Sequence, residues 1–176
     1  MRFLITDHET ADTIVSEAPE ELRAVVSIFS PPASHTVRRG LARGVPCSGF
    51  EDFAFHKIAL SFDDSSDSDN PLAPTMDDMR EFMAWAETVP LNPDHVILFH
   101  CHTGISRSTS FALAFLAAKL GPGAEQDAME YVLTVRPCAS FNELIVALAD
   151  EHLGRNGKLQ EVVATWTASQ KSVFVY

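Results

Sequence analysis

Apolar and polar residues alternate along several short stretches of the first hundred residues, and these stretches carry many β-branched side chains. Such patterns predict strands. The predicted strands span residues 3–5, 24–29, 57–62 and 96–99. Before the last of them, the stretch PTMDDMREFMAWAETV repeats its apolar residues at helical spacing. It predicts an amphipathic helix that starts at Pro74 and Thr75.

Helical spacing takes over after residue 107, and no further strand is predicted there. The predicted helices span residues 108–120, 124–135, 142–153 and 158–167, and Gly121 ends the first of them. Strands alternating with helices, followed by helices alone, are typical of an α/β domain. We therefore expect a central, mostly parallel sheet flanked by helices, with a helical C-terminal half. A length of 176 residues with 46% hydrophobic content predicts a single domain over residues 1–176.

The charge of the chain limits its partners. The formal net charge is −11 at pH 7, whereas nucleic acids and anionic membranes are bound by clustered Lys and Arg. We therefore expect no nucleic-acid partner and no membrane partner. The longest apolar runs fall short of a membrane span, and MRFLITDHET lacks the basic start and long apolar stretch of a signal peptide. These features indicate a cytoplasmic location.

The three cysteines, Cys47, Cys101 and Cys138, form no CxxC pair. An odd number without paired spacing predicts neither a disulfide framework nor a zinc site, so we expect no metal and no cofactor. At least one cysteine is free to react. A disulfide between Cys138 and Cys101 under oxidation is one possibility, but the interpretation of Cys138 as a small buried residue is favoured.

Cys101 lies where a predicted strand meets a glycine-containing turn and then a helix, in the stretch HVILFHCHTGISRSTSFALAF. The first N–H groups of that helix are unpaired, and such a place binds anions. Gly104 permits the backbone angles of a tight curl, and Arg107 offers a planar fork of donors for two oxygens of one anion. The same positive field favours a thiolate, so Cys101 is a candidate nucleophile.

The residues HCHTGISRS resemble the signature loop of the cysteine-dependent protein tyrosine phosphatases, HCxxGxxR followed by Ser or Thr, and GISRST is most similar to the compact dual-specificity branch. The matching positions are His100, Cys101, Gly104, Arg107 and Ser108. The resemblance covers roughly residues 50–155 and includes Arg136, Pro137 and Asn142. It implies a phosphatase-like fold and hydrolysis of phosphotyrosine in a protein or peptide substrate, with phosphoserine and phosphothreonine left open as further substrates.

The resemblance also implies a role for each residue of the loop. Cys101 attacks phosphorus to give a cysteinyl-phosphate, Arg107 holds the phosphoryl group, and Ser108 helps the thiolate to leave. His100 orients the loop through hydrogen bonds. The backbone that cradles the phosphoryl oxygens belongs to His102, Thr103, Gly104, Ile105 and Ser106.

A phosphatase of this kind needs an acid for the leaving group, which the family takes from an Asp after the preceding strand. The run FDDSSDSDN offers four candidates, Asp63, Asp64, Asp67 and Asp69. Asp64 is preferred because it comes just after the predicted strand, and Asp63 is second. Asp64 lies 37 residues before Cys101, a spacing that indicates an insertion in this loop.

Two other functions stay open at this point. The chain could be an inactive phosphoprotein-binding module of the same fold, which the presence of Cys101, Arg107 and Ser108 argues against. It could also act on a non-protein phosphoester, although the residues HTGIS contain no lysine and the acidic surface would repel a highly anionic lipid. The sequence leaves open the physiological substrate, the preferred phosphorylated residue, the oligomeric state and any redox role of Cys47 or Cys138.

Overall fold

The computed structural model describes residues 1–173, with side chains through residue 170. Four strands form one sheet, in chain order β1 (Arg2–Thr6), β2 (Leu22–Phe29), β3 (His56–Ser61) and β4 (Val96–His100). Their order across the sheet is β1-β4-β2-β3, and all neighbours are parallel. The carboxyl ends of the strands therefore meet at one edge, where open α/β sheets place their ligands. Thr6 and Ser27 both pair with His100 there, directly before Cys101.

Among the described residues, seven helices accompany the sheet, and they confirm the predicted α/β class with its helical C-terminal half. They are α1 (His8–Glu17), α2 (His35–Arg38), α3 (Met76–Thr88), α4 (Arg107–Leu120), α5 (Glu125–Val135), α6 (Glu143–His152) and α7 (Lys158–Val173). The four predicted strands are present to within two residues at each end. The predicted helices match α3 to α7, although α7 is longer than predicted. Helices α1 and α2 were not predicted individually.

The central strands are buried on both faces, as a parallel sheet requires. In β4, Ile97 and Phe99 belong to a large core formed with α3, α4, α5 and α6. Val96 and Leu98 face the other way, into a smaller core with α1 and the segment that follows α2. Alternate side chains of one strand thus divide the molecule into two apolar layers. None of the described helices is long and apolar enough to cross a membrane.

The helix starts near the sheet edge differ in how they are capped. Thr75 and Asp78 form a reciprocal capping box at α3, and the Asp7 carboxylate accepts from the Thr10 N–H at α1. Helix α4 has no side-chain cap, because the Ser106 hydroxyl is used elsewhere. The first N–H groups of α4 therefore remain available at the carboxyl end of β4.

Candidate active site

Cys101 follows β4 directly and begins the Cys101 loop, residues 101–106, which leads into α4. The residue is 1% exposed, and its Sγ lies 3.3 Å from the Ser108 hydroxyl. Burial raises the pKa of the thiol, but the Arg107 charge, the Ser108 hydroxyl and the N–H groups of Ser108 and Gly104 outweigh it and lower the pKa below its ordinary value. The site thus favours a thiolate, the reactive form of cysteine.

Every carbonyl group from residue 102 to residue 106 of this loop accepts a hydrogen bond from outside the loop. The donors are the His8 N–H for His102 (3.2 Å), Arg136 Nη2 for Thr103 (3.1 Å), Arg136 Nε for Gly104 (2.9 Å), the Ser140 N–H for Ile105 (2.8 Å) and the Ser110 N–H for Ser106 (3.0 Å). Five successive carbonyl oxygens are thereby held on the outer side of the curl. The backbone N–H groups of the loop therefore lie on the inner side of the curl.

Those amide groups are largely unpaired. Among the described residues, nothing accepts from the N–H of His102, Thr103, Ile105 or Ser106. A curl of consecutive free N–H groups at a helix N-terminus is a concave site for an oxyanion. The predicted cradle from His102 to Ser106 therefore has the backbone arrangement that anion binding requires.

Gly104 makes the curl possible in two ways. Its φ of +70° lies in the left-handed region that favours glycine. A Cβ atom at this position would also lie 2.7 Å from the Asp7 backbone nitrogen and would collide with the Thr6 carbonyl group. The loop thus packs directly on the β1–α1 junction, and no residue with a side chain fits at position 104 without a shift of backbone.

Arg107 opens α4 and is 3% exposed. Its Nη1 donates to the Phe62 carbonyl oxygen at 2.7 Å and to the Ser30 hydroxyl at 3.2 Å. The Nε atom is buried and, like Nη2, has no hydrogen-bond partner among the described residues. One edge of the guanidinium is therefore fixed to the protein, and the other edge is free for two oxygens of one anion.

A cleft of about 340 Å³ opens beside Arg107, His102 and Thr103. One wall comes from the arginine segment, residues 35–43, and the other from the aspartate loop, residues 63–70. The lining residues of these two walls are Thr36, Leu41, Ala42, Asp63, Asp64, Ser65 and Asn70. An oxyanion on the Cys101 loop would therefore have its organic group close to residues of the arginine segment and of the aspartate loop.

The structure brings two of the four candidate acids to the cleft. Asp64 Oδ1 accepts from the Ser106 hydroxyl at 2.7 Å and from Asn142 Nδ2 at 2.9 Å, while Oδ2 has no partner among the described residues. Asp63 also lines the cleft, and its Oδ1 is buried without a hydrogen-bond partner. Asp67 and Asp69 are exposed outside the cleft lining, and the Asp67 carboxylate accepts from the Asp69 N–H.

His100 is buried directly before Cys101, and its role in orienting the loop stays a prediction. Neither ring nitrogen has a hydrogen bond of good geometry among the described residues, but an interaction with the Cys101 backbone acts to raise the pKa of the imidazole. Burial and the neighbouring His8 outweigh it and lower the pKa of His100 to about 4. The rings of His8 and His100 meet edge to face at 5.2 Å.

The other two cysteines differ from each other. Cys47 is buried, and burial raises its pKa to about 11. Cys138 is exposed, so the favoured interpretation of a buried small residue is wrong for this position. Within the part of the chain that the structure describes, no group of three or more His, Cys, Asp or Glu side chains is placed to hold a metal ion.

Several residues of the site were not predicted from the sequence. The family resemblance includes Arg136 without giving it a role, and nothing in the sequence predicts its hydrogen bonds to the loop carbonyls. Ser30 and Asn142 likewise contact Arg107 and Asp64 from distant parts of the chain. The sequence indicates Asn142 only as a polar residue at the start of a predicted helix. Such a residue is expected simply to cap the helix, and Asn142 is the observed N-cap of α6.

Neither a protein-family model nor a curated protein sequence matches the chain. Solved structures do match it. Human DUSP28 superposes with a TM-score of 0.57 at 15% sequence identity, over 95% of this chain and 94% of that one. A human tyrosine phosphatase-like serine/threonine/tyrosine-interacting protein gives a TM-score of 0.53 at 18% identity, over 84% of each chain.

A third similar structure is PTPMT1 in complex with PI(5)P, with a TM-score of 0.51 at 15% identity over 93% of this chain and 94% of that one. Identities this low establish a shared fold. The chain therefore has the fold of the compact dual-specificity and tyrosine phosphatases, as the resemblance of HCHTGISRS implies.

Proposed function

We propose that residues 1–176 form one phosphatase domain that hydrolyses phosphorylated proteins or peptides through a cysteinyl-phosphate. The observation that carries this proposal is the Cys101 loop itself. The carbonyl groups of the loop accept hydrogen bonds from other segments, and its free N–H groups surround Cys101, a buried cysteine of lowered pKa. Beside Cys101, one edge of the Arg107 guanidinium has no hydrogen-bond partner among the described residues. These are the groups that stabilise a phosphoryl group during transfer to sulfur.

In the first step, the Cys101 thiolate attacks phosphorus and forms an S–P bond while the bond from phosphorus to the ester oxygen breaks. The loop amides and Arg107 bind the phosphoryl oxygens as their charge shifts. Asp64 gives its proton to the departing oxygen, which leaves as an alcohol or phenol. Its unpaired Oδ2 is the oxygen available for this transfer, since Oδ1 is held by Ser106 and Asn142.

In the second step, a water molecule attacks phosphorus, and the S–P bond breaks to release phosphate and the thiolate. Asp64, now a carboxylate, accepts the proton of that water. The Ser108 hydroxyl lies 3.3 Å from Sγ and donates to the thiolate as it leaves. No cofactor takes part, because backbone N–H groups and Arg107 supply the positive field that magnesium supplies in many other phosphoryl-transfer enzymes.

Two rival functions are suggested by the similar structures. One of those proteins is phosphatase-like and named for its interactions, but here a nucleophile, Arg107 and a carboxylate on the cleft are all present. Another was solved with PI(5)P. In this chain Cys101 to Arg107 contain no lysine, and Asp63 and Asp64 stand on the cleft. Both features disfavour a highly charged lipid headgroup relative to a phosphoprotein.

The test is hydrolysis of an aryl phosphate by the intact chain, with and without EDTA. We expect EDTA to leave the activity unchanged and Cys101→Ser to abolish it. The cysteine in this site is ionised to the nucleophilic thiolate, whereas a serine hydroxyl in the same place is not ionised. Cys138→Ser is the matched control, since it changes an exposed thiol to the same residue. A Cys101→Ser variant with full activity, or wild-type activity that requires an added metal, would contradict the proposal. A panel of phosphotyrosine and phosphoserine peptides then identifies the preferred residue.

A further inference from the structure

Two chain segments that contribute to the cleft differ in the charges they carry. Residues 24–50 contain Arg38, Arg39 and Arg43 and no acidic residue, in a chain with a net charge of −11. Residues 58–79 contain several aspartates and no Lys or Arg. The arginine segment lines the cleft through Thr36, Leu41 and Ala42, and the aspartate loop lines it through Asp63, Asp64 and two polar residues. A substrate bound through its phosphoryl group in the cleft therefore lies near a positively charged segment and near a negatively charged one.

The arginines of the segment are not equally available. Arg43 Nη1 pairs with Asp12 Oδ2 at 2.9 Å, and Asp12 also accepts from the Ser48 N–H at 2.6 Å. This pair fixes the segment to α1 and neutralises Arg43. Arg38 and Arg39 are exposed and have no ion pair or side-chain hydrogen bond among the described residues. Their charges are therefore free to act on a ligand.

The backbone places one of these charges next to the cleft. Thr36 lines the cleft and lies in α2, and Arg39 is the C-cap of that helix, three residues later. Residues three apart on a helical turn lie on the same side. Leu41 comes back to the cleft wall, and its N–H donates to the Thr36 carbonyl oxygen at 2.8 Å. Arg39 is thus bracketed by two residues of the wall.

We propose that Arg38 and Arg39 select phosphorylated peptides that carry acidic residues on one side of the phosphorylated residue. This inference rests on the proposed phosphatase function and deepens it by naming a substrate class. An acidic side chain over the arginine segment gains from the two unpaired charges. An acidic side chain over the aspartate loop meets the carboxylates of that loop other than the proton donor, Asp63 among them, and is repelled. The preference is therefore one-sided, which sets the direction of the bound peptide across the cleft.

The experiment uses three phosphopeptides that differ only at the two positions before and the two positions after the phosphorylated residue. The first carries glutamate at the two positions before the phosphorylated residue, the second at the two positions after it, and the third has glutamine at all four. For the wild-type chain at low salt, we expect kcat/KM for one glutamate peptide to exceed that for the glutamine peptide by about fivefold, as a few exposed charge pairs would give. The other glutamate peptide is no better than the glutamine peptide. Added salt reduces the preference.

The test variant is Arg38→Ala/Arg39→Ala, which brings the kcat/KM ratio of the favoured peptide to the glutamine peptide close to one. The matched control is Arg2→Ala/Arg23→Ala. It makes the same change in net charge at the amino ends of β1 and β2, at the edge of the sheet opposite the Cys101 loop, and it keeps the wild-type ratio.

The inference is overturned by equal rates on all three peptides, by gains with both glutamate peptides, or by a preference that persists in the test variant. If an aryl phosphate is hydrolysed through Cys101 while every peptide is refused, the substrate class is wrong and the thiolate chemistry stands.

Discussion

The Cys101 loop and the aspartate loop approach the same cleft and are built in opposite ways. Each carbonyl from residue 102 to residue 106 of the Cys101 loop is bound by a donor from another part of the fold. Most of the aspartate loop is exposed, and its contacts to the rest of the site are made through Asp64 and the Ser65 carbonyl, which Asn142 holds. One loop is fixed in shape before any ligand binds, and the other is attached at a few points.

This difference separates two demands of the proposed reaction. Stabilising the charge on a phosphoryl group requires dipoles that are already oriented, because reorientation during the reaction costs free energy. Delivering a proton requires only one carboxylate beside the leaving group, and the aspartate loop supplies it at Asp64, the residue through which the loop is attached to the site. The following variants test that division, starting with the largest expected loss of activity.

Arg107→Lys removes the fork of donors and keeps the charge. We expect kcat to fall by about a thousandfold, as for the loss of a preorganised donor to a transition state. The ammonium group also cannot reproduce the bonds to the Phe62 carbonyl and Ser30 that fix the guanidinium. Steady-state kinetics on an aryl phosphate measure the effect, and Arg80→Lys on the exposed face of α3 is the control. Near-normal turnover would mean that Arg107 does not hold the phosphoryl group.

Gly104→Ala tests whether the shape of the Cys101 loop is fixed by its contact with the β1–α1 junction. The added methyl group collides with Thr6 and Asp7, so we expect kcat to fall about a hundredfold and the free energy of unfolding to drop by about 2 kcal/mol. Gly121→Ala is the matched control, because its φ is +88° but no atom lies within 4 Å of the added Cβ. Equal effects in the two variants, from kinetics and urea unfolding, would show that strain and not the collision is responsible.

Asp64→Asn removes the acid and retains an oxygen that can accept from Ser106 and Asn142. A general acid matters most for a poor leaving group. We therefore expect about a tenfold to hundredfold larger loss of kcat/KM with a phosphotyrosine peptide than with an activated aryl phosphate, together with a flatter alkaline limb of the pH–rate profile. Asp63→Asn on the same wall is the paired variant. If Asp63→Asn produces this pattern and Asp64→Asn does not, the acid is Asp63.

Arg136→Gln is expected to have the smallest effect. The variant loses the charge that holds the carbonyls of Thr103 and Gly104 outward, while the other three carbonyls keep their donors. We expect kcat to fall about tenfold or less, with KM for an aryl phosphate increased as the amides lose their alignment. Arg136→Lys should recover part of the loss. If Arg136→Gln matches the wild type, the remaining donors suffice to shape the loop.

The sequence predicted the parts of this molecule that depend on local pattern. Strand β4 and helix α4 were predicted because their apolar runs are long, and the structure buries all of β4 and the first eleven residues of α4. Helix α1 was not predicted individually, since only His8, Ala11 and Val15 are buried, with Ile14 partly buried against the same core, and the remaining positions are polar. A weak apolar stripe of this kind does not distinguish a helix from a loop.

The contacts that shape the candidate site lie beyond such patterns. The residues HCHTGISRS predict Cys101 as the nucleophile and Arg107 as the arginine that binds the phosphoryl group, because their spacing along one loop is itself the chemical signal. The spacing of Arg136, Asn142 and Ser30 carries no comparable signal, since each contacts the site from another segment. Only the strand order and helix packing bring these residues to one place. The position of Asp64 after β3 predicted that the residue lies near the Cys101 loop, but it did not predict the hydrogen bonds from Ser106 and Asn142.

The bond from Arg107 to the Phe62 carbonyl has a consequence for how this chain tolerates changes in length. Phe62 comes directly after β3, and Asp64 is two residues further on. A one-residue insertion or deletion between Phe62 and Asp64 would move the carboxylate away from the cleft while the arginine stayed anchored. The stretch that follows Ser65, by contrast, turns back through its own short hydrogen bonds. Natural relatives of this chain should therefore vary in loop length after position 65 and keep the two-residue step before it.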